Sequence, residues 1–270
     1  GFWDTNIVND VKSVYSIFPF LASNLVYWTL YANMTSLYIS QGCQMNYQWK
    51  HFNIPIPAMN VADTLTVIAS VFLFDWFLYP YFKRKNLNFS MLKRIGAGYF
   101  VILLANITSA IIEIIRKRST VLDSHSTCND ESNDEINISS LSIFWQIPQY
   151  ALVGLSEVFT SITSLEFFAG QSPKSLKSVI YALNLCITGF GLLTSSLLVF
   201  IVGLWKPKWI SNDLNDGYLE YFFILCAGIM GINLIIFMCV AKKYRYKPGT
   251  NTSTFQMDNT YTNINDNNNA

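Results

Sequence analysis

Long apolar stretches alternate with short polar connections along most of the 270-residue chain. Six of these stretches could form a helix that crosses a bilayer core, which takes about 20 residues. They run over residues 17–40, 60–82, 95–115, 141–169, 178–204 and 219–241. The alternating segments of about 10 residues that build a transmembrane barrel are absent. The pattern therefore predicts an all-α integral membrane protein: a lead-in over 1–16, a six-helix bundle over 17–244 and a disordered tail over 245–270.

The basic residues orient this bundle, because short cytoplasmic loops carry an excess of Lys and Arg. They follow every second span, at 83–94, 174–177 and 242–247, whereas connection 116–140 is acidic and rich in Ser and Asn. We therefore expect both termini in the cytoplasm and the acidic connection outside or in a lumen. The basic run 116–118 departs from this pattern. A glycosylation sequon at Asn137 fits it, whereas the sequons at Asn33 and Asn106 lie within predicted spans.

Composition narrows the class of protein. Hydrophobic residues make up 51% of the chain and charged residues 13%, and the net charge of +1 gives no reason to expect nucleic-acid binding. The lipid bilayer is the expected partner. Phosphate-loop, dinucleotide, zinc-protease and serine-hydrolase motifs are missing, so we expect no enzyme, no cofactor and no metal. The cysteines lack metal-ligand spacing, and a disulfide between Cys43 and Cys128 stands as one alternative to free thiols.

Four acidic residues fall inside the predicted spans: Asp63, Asp75, Glu157 and Glu166. A carboxylate in a membrane is costly unless it reaches water or a partner, which favours a substrate or proton pathway. Asp75 lies near a basic loop that could pair with it, and Glu157 fits a structural role as well as a functional one. Glu166 has no basic residue near it in sequence. A ligand ammonium group, a water-filled cavity or protonation would each stabilise it.

The first span carries an aromatic and polar face. Trp28 and Tyr31 lie on neighbouring turns, where they could line a cavity or serve as ordinary packing. Asn33 and Ser36 lie deep in the same span and need polar partners.

Several motifs of the chain resemble the proton-coupled oligopeptide transporter family, and most closely its peptide/histidine branch. The fourth span carries the strongest of them, in the run from Trp145 to Glu157, then Leu165–Phe167 and then Ser172–Ser178. Further similarity lies at 27–41, at 63–80 and at 92–95, and the resemblance covers about 11–244. These segments are similar to the seventh to tenth helices of the family.

This resemblance implies a major facilitator fold of twelve helices, of which the chain supplies the six-helix C-terminal half. The N-terminal half, which holds the family's acidic-arginine motif and a lysine for proton coupling, is missing. Because the chain begins with Gly1 rather than Met, we expect it to be a fragment.

The resemblance also assigns roles to single residues. Glu166 matches the glutamate that meets the ammonium terminus of a bound peptide, Asp63 a polar cavity residue and Trp28 a pocket tryptophan. Asn33, in the matching part of the first span, and Asn184, which replaces a pocket aromatic, complete the predicted substrate site. The chain also departs from many peptide transporters at Ala32, where they carry a carboxylate, and at Phe72, where they carry a proline. These departures bear on substrate choice.

The resulting hypothesis is a symporter that moves di- or tripeptides, histidine or both with protons. We expect it in an endosomal or lysosomal membrane, with the plasma membrane as the alternative. A second hypothesis is a membrane scaffold that recruits a cytosolic partner and transports nothing. An ion channel subunit is a third, although no carbonyl-filter motif or charged ring supports it.

Overall fold

A computed structural model describes residues 5–49, 52–74, 76, 84–85, 90–125, 137–211 and 213–244. Side chains within these ranges are described except at 5–14, 123–125 and 174. The predicted disordered tail, residues 245–270, lies outside the described residues.

Helices dominate the described chain. The α-helices are α1 Thr5–Tyr31, α2 Leu37–Cys43, α3 Asn60–Leu73, α4 Met91–Arg118, α5 Ile147–Glu157, α6 Thr163–Gln171, α7 Lys177–Trp205 and α8 Leu219–Lys243. Short 3-10 helices lie at Ala32–Thr35, Ile56–Met59, Ile143–Gln146 and Lys174–Leu176. The strands are β1 Gln48–Trp49, β2 Phe52–Asn53, β3 Val121–His125 and β4 Asn137–Ser139. β1 pairs antiparallel with β2, and β3 with β4, so both sheets are small hairpin-like caps on the helical bundle.

Five helical segments of the described chain are long and apolar enough to cross a membrane. They are Ile56–Leu73, Met91–Arg118, Ile143–Gln171, Lys177–Trp205 and Leu219–Lys243. These segments coincide with the second to sixth predicted spans to within a few residues where the structure describes both ends. The second span continues past Leu73 into residues that are mostly not described.

The first predicted span has a different structure from the others. Its helix α1 begins at Thr5, inside the predicted lead-in, and ends at Tyr31. A 3-10 turn follows before α2. The segment is not among the five that are long and apolar enough to cross a membrane. The side chains of Thr35 and Ser36 both donate to the carbonyl oxygen of Ala32, at 2.9 and 3.3 Å. Such local bonds offer the backbone an alternative to the regular helical pattern and accompany this break. The count of six spans therefore stays a prediction.

The fourth span is one continuous helical segment with a defect in its middle. Pro148 occupies the first turn of α5, where its missing N–H costs nothing, so it begins the helix rather than kinking it. A π-helical turn at Val158–Ile162 separates α5 from α6. α6 ends at Gln171, two residues before Pro173. π-turns insert an extra residue into a helix and are frequent at functional sites.

Helix α4 lies at the centre of the packing, against α8 on one side and α5 on the other. α1 packs mainly on α7, and α3 on α5. Glycines set two of these approaches. A Cβ at Gly98 would meet the backbone oxygen of Ser156 at 3.0 Å, and one at Gly191 would meet Cβ of Trp28 at 2.5 Å. A Cβ at Gly189, by contrast, would have nothing within 4 Å.

An aromatic cluster closes one end of the bundle. The ring of Phe20 contacts Phe167, Phe237 and Tyr244 at centroid distances of 5.3, 5.7 and 5.1 Å. The Tyr244 hydroxyl donates to Oε1 of Gln171 at 3.1 Å. These contacts hold α1, α6 and α8 together at the end where α8 finishes.

The cysteines divide into two groups. Cys43 is disulfide-bonded, and Cys186, Cys226 and Cys239 are free. Cys128, the partner considered from the sequence, lies outside the described residues.

Candidate functional site

Asp63 lies in the first turn of α3 and is 6% exposed. It packs on the face of α5 where Gly154 leaves room: a Cβ at Gly154 would lie 2.9 Å from Oδ1 of Asp63 and 2.6 Å from its backbone oxygen. Oδ1 is buried and has no hydrogen-bond partner in the described structure. The close helix approach thus places a carboxylate in an apolar setting without a matched donor.

Glu157 follows Gly154 by one turn on the same face of α5. The hydroxyl of Tyr31 donates to Oε2 of Glu157 at 3.1 Å, which links α1 to α5. One turn earlier on α1, the hydroxyl of Tyr27 lies 3.2 Å from Oγ of Ser156. Asp63, Glu157 and the two tyrosines therefore surround one junction of α1, α3 and α5.

Trp28 borders this junction. Its ring contacts those of Tyr27 and Tyr31 edge-on at centroid distances of 5.4 and 5.1 Å. Its Nε1 is buried and makes no hydrogen bond within the described chain. The close approach of Gly191 fixes the Trp28 backbone against α7. An indole N–H and a carboxylate oxygen, each without a hydrogen-bond partner in the described chain, thus lie buried near one junction.

The two asparagines of the predicted substrate site, Asn33 and Asn184, have different surroundings. Nδ2 of Asn24 lies 3.4 Å from Oδ1 of Asn184 on α7, one turn along α1 from Trp28. Asn184 is therefore a neighbour of the junction. Asn33 is 1% exposed, and its Nδ2 donates to Sγ of Cys226 on α8 at 3.5 Å. This contact gives Asn33 a packing partner away from Asp63 and Glu157.

Glu166 lies in the first turn of α6, beyond the π-turn, and is partly exposed. Nine positions separate it from Glu157, which is roughly 13 Å along a helix axis. No hydrogen bond or ion pair of Glu166 with another described residue occurs. Asp63 thus lies against α5, Trp28 beside Tyr27 and Tyr31, and Asn184 against Asn24, while Glu166 lies further along the fourth span. Asp75, the remaining acidic residue of the spans, lies outside the described residues.

A second polar cluster, which the sequence reasoning missed, lies at the far end of α4. Arg116 and Glu113 are both fully buried and joined by bonds of 2.7 and 3.0 Å. Nε2 of Gln41 donates to Glu113 at 2.9 Å, and Nε2 of Gln149 donates to Oε1 of Gln41 at 3.1 Å. Gln146 completes this glutamine–arginine cluster with a bond of 3.2 Å to Gln41. The Glu113-x-x-Arg116 spacing, which puts both side chains on one helix face, was its sequence signal.

This cluster stabilises the fold. Its members come from α2, α4 and the start of the fourth span, and Arg116 also donates to Asn215 of the connection before α8 at 2.8 Å. A buried ion pair needs all its polar atoms matched, and here the guanidinium is bonded on three nitrogens. Among the described residues no group of three His, Cys, Asp or Glu could hold a metal ion.

Comparison with known proteins identifies the family. The sequence model of the POT family matches residues 3–210. Protein NRT1/PTR FAMILY 8.1 of Arabidopsis thaliana is 36% identical over 249 residues, which cover 89% of this chain and 42% of that relative. Protein NRT1/PTR FAMILY 8.2 of the same plant is 32% identical over 252 residues, covering 90% and 43%. The chain thus spans less than half the length of these curated relatives.

Solved structures show the same fold. The crystal structure of the POT family transporter PepTSo superimposes with a TM-score of 0.70 at 24% identity, over 89% of this chain and 43% of that one. An auto-inhibited POT family peptide transporter gives 0.65 at 21% identity, over 87% and 42%. The major facilitator fold expected from the motifs is confirmed by these likenesses, whereas the histidine branch stays a prediction. With a family match over residues 3–210, the chain belongs to the POT family.

Proposed function

We propose that the natural protein is a symporter that moves di- or tripeptides, histidine or both with protons, and that this chain is its C-terminal half. The observation that carries the proposal is the junction of α1, α3 and α5, where two carboxylates, an indole and two tyrosines meet inside an apolar bundle. Ionisable groups at such depth mark substrate or proton pathways in membrane proteins. Membership of a transporter family supports the same reading.

The chemistry of the junction and of Glu166 suits a zwitterionic substrate. A peptide or free histidine carries an ammonium group, for which a carboxylate without a cationic partner is the natural acceptor. Glu166 is such a carboxylate within the described chain. The aromatic rings of Trp28 and Tyr31 supply apolar walls with a donor at the edge, as ligand sites commonly do. Glu166 would therefore bind the ammonium end, while Asp63 and Trp28 line the cavity.

Uptake by the natural full-length protein tests this assignment. Glu166→Gln keeps the size of the side chain and removes its charge, so we expect uptake of a tripeptide and of histidine to be lost while the protein still folds. Glu220→Gln is the matched control, because Glu220 at the start of α8 pairs at 3.1 Å with Lys117 at the end of α4, away from the junction. Undiminished uptake by Glu166→Gln would rule out its role.

The proposed orientation keeps the connection 116–140 outside or in a lumen. Its departure from the positive-inside pattern is smaller than the sequence suggests, because Arg116 is buried against Glu113 and Lys117 is paired with Glu220. Two of the three basic residues of 116–118 are thus engaged by carboxylates. An acidic compartment on that side would supply the protons, which is why we propose an endosomal or lysosomal membrane over the plasma membrane.

A further inference from the structure

We propose that the connection between α7 and α8 binds the head group of an anionic phospholipid, at the membrane surface on the side of connection 116–140. The inference goes beyond the proposed function, and it does not depend on what the protein transports. The site is an open cavity of about 350 Å³ beside the end of α7. Its walls are formed by Trp205, Lys206, Pro207, Lys208, Trp209 and Tyr218.

Backbone hydrogen bonds fold this connection back on itself. The N–H of Lys206 donates to the carbonyl oxygen of Val202 at 2.8 Å, where α7 ends, and the N–H of Trp209 donates to that of Lys206 at 2.8 Å. The N–H of Tyr218, just before α8, returns to the carbonyl oxygen of Lys208, also at 2.8 Å. These bonds hold two lysines and three aromatic side chains around one opening.

Aromatic rings form much of the wall. The ring of Tyr221, in the first turn of α8, lies 5.7 Å from the ring of Trp209 and 5.7 Å from that of Tyr218. Trp205, the last residue of α7, is exposed. Tryptophan and tyrosine at the end of a membrane span collect at the depth of the lipid head groups, because an apolar ring there carries a polar edge. The rings therefore place the cavity at that depth.

Two lysines bring positive charge to the cavity. Lys206 and Lys208 both line it, and both side chains are exposed. A lysine ammonium group binds phosphate as a point charge, and basic residues beside a membrane span attract anionic lipids. Within the described chain, the two acidic residues of this connection, Asp213 and Asp216, do not line the cavity. The charge at the opening is therefore positive and suits an anion.

A third lysine fixes the wall. Nζ of Lys117, at the end of α4, lies 4.7 Å from the centroid of the Tyr218 ring and donates to the carbonyl oxygen of Gly217. Glu220 balances its charge at 3.1 Å. These contacts tie the end of α4 to the start of α8 and keep the Tyr218 ring in place.

An apolar stripe leads away from the cavity along α8. It begins at Tyr221 in the wall and continues through exposed positions at helical spacing, namely Ile224, Gly228, Ile232 and Ile235. A ligand with an anionic head and an apolar body would fit the lysines and this stripe together. The membrane itself supplies such a molecule, which favours a phospholipid over a soluble phosphate.

The lysines also favour one class of phospholipid. Aromatic rings alone would suit the choline group of a zwitterionic lipid through cation–π contacts. Lys206 and Lys208 repel that group and attract a head group with net negative charge. The proposed ligand is therefore an anionic phospholipid rather than phosphatidylcholine.

Photolabelling of the natural full-length protein tests the site. The protein is reconstituted in phosphatidylcholine vesicles that contain phosphatidylglycerol with a photoreactive head group, and labelled peptides are mapped by mass spectrometry. We expect label within 205–218, and we expect unlabelled phosphatidylglycerol to compete for it. Joint replacement Lys206→Gln and Lys208→Gln should raise the probe content for half-maximal labelling about 30-fold, roughly fivefold for each lysine. Lys206→Arg with Lys208→Arg should keep the labelling.

Lys242→Gln with Lys243→Gln is the matched control. It removes the same charge from two exposed lysines at the other end of α8, so labelling within 205–218 should not change. Thermal unfolding should be the same for all these variants, because the replaced side chains are exposed.

Four results would each overturn the proposal. The first is no label within 205–218, and the second is labelling that the double glutamine variant leaves unchanged. Equal competition by added phosphatidylcholine would show a zwitterionic lipid, and equal competition by glycerol phosphate would show a soluble anion. None of these results depends on uptake, so the lipid site and the symporter can fail separately.

Discussion

The hydroxyl of Tyr31 on α1 donates a hydrogen bond of 3.1 Å to Oε2 of Glu157 on α5, across the junction that also holds Asp63. This bond joins the helix with the broken end to the span with the π-turn. It therefore ties these two irregular helices to one carboxylate.

Tyr31→Phe removes this bond alone. A hydrogen bond to a charged group contributes about 1.5–3 kcal/mol, so we expect a loss of stability of that order and a decrease in uptake. Thermal unfolding in detergent and uptake in vesicles measure the two effects. Tyr221→Phe is the control, because Tyr221 is 49% exposed and its hydroxyl makes no hydrogen bond within the described chain. Equal behaviour of the two variants would contradict the role of the Tyr31 bond.

Gly191 and Gly189 provide a matched test of the contact between α1 and α7. A methyl group at Gly191 would overlap the Trp28 Cβ, and backbone atoms of Trp28 and Thr29 lie at 3.1 and 3.2 Å behind it. Overpacking of this kind typically costs about 1–3 kcal/mol. Gly189 faces open space, and Ala there should be neutral or stabilise the helix by up to about 1 kcal/mol. Unfolding of Gly191→Ala at the same temperature as Gly189→Ala would show that this helix contact is wrong.

The buried pair of Glu113 and Arg116 predicts a large penalty for losing one partner. Glu113→Gln leaves the Arg116 guanidinium charged and fully buried, which typically costs about 3–5 kcal/mol. Glu220→Gln breaks the more exposed pair with Lys117, for which about 0–1 kcal/mol is expected. Chemical denaturation of both variants in the same detergent compares them. Similar stabilities would mean that the glutamine–arginine cluster does not hold the helix ends together.

Glycosylation tests the proposed orientation. Asn137 begins β4 and is exposed, whereas Asn33 and Asn106 are 1% and 0% exposed. Of these three sequons, we expect only the one at Asn137 to carry a glycan in a eukaryotic host. Endoglycosidase should increase the gel mobility of the wild type, and Asn137→Gln should show no such shift. Absence of a glycan on the wild type would contradict a lumenal connection 116–140.

The membrane spans were predictable because their apolar runs are long and their ends polar, so five match helices of the structure. The irregular first span was not, because a run of apolar residues gives no sign of the 3-10 turn at Ala32–Thr35. The beginning of this helix was not predictable from polarity either, because the polar residues 5–16 of the predicted lead-in are helical as well.

The candidate site was predictable in part. Its acidic residues stand out in apolar spans, and the family motifs single out Glu166 and Asp63. The contact between Tyr31 and Glu157 depends on how α1 and α5 are rotated about their axes. Helices that are apolar on nearly every face leave that rotation open. The same ambiguity hid the bonds of Gln41, because its partners Glu113 and Gln149 come from helices far from it in sequence.

Proton-driven uptake in proteoliposomes tests the central claim most directly. The natural full-length protein is reconstituted, and a labelled tripeptide or histidine is offered with and without an inward proton gradient. The account predicts accumulation above the external concentration only with the gradient, and its collapse when a protonophore is added. Uptake that is the same with and without the gradient, or no uptake of either substrate by a folded protein, would contradict it.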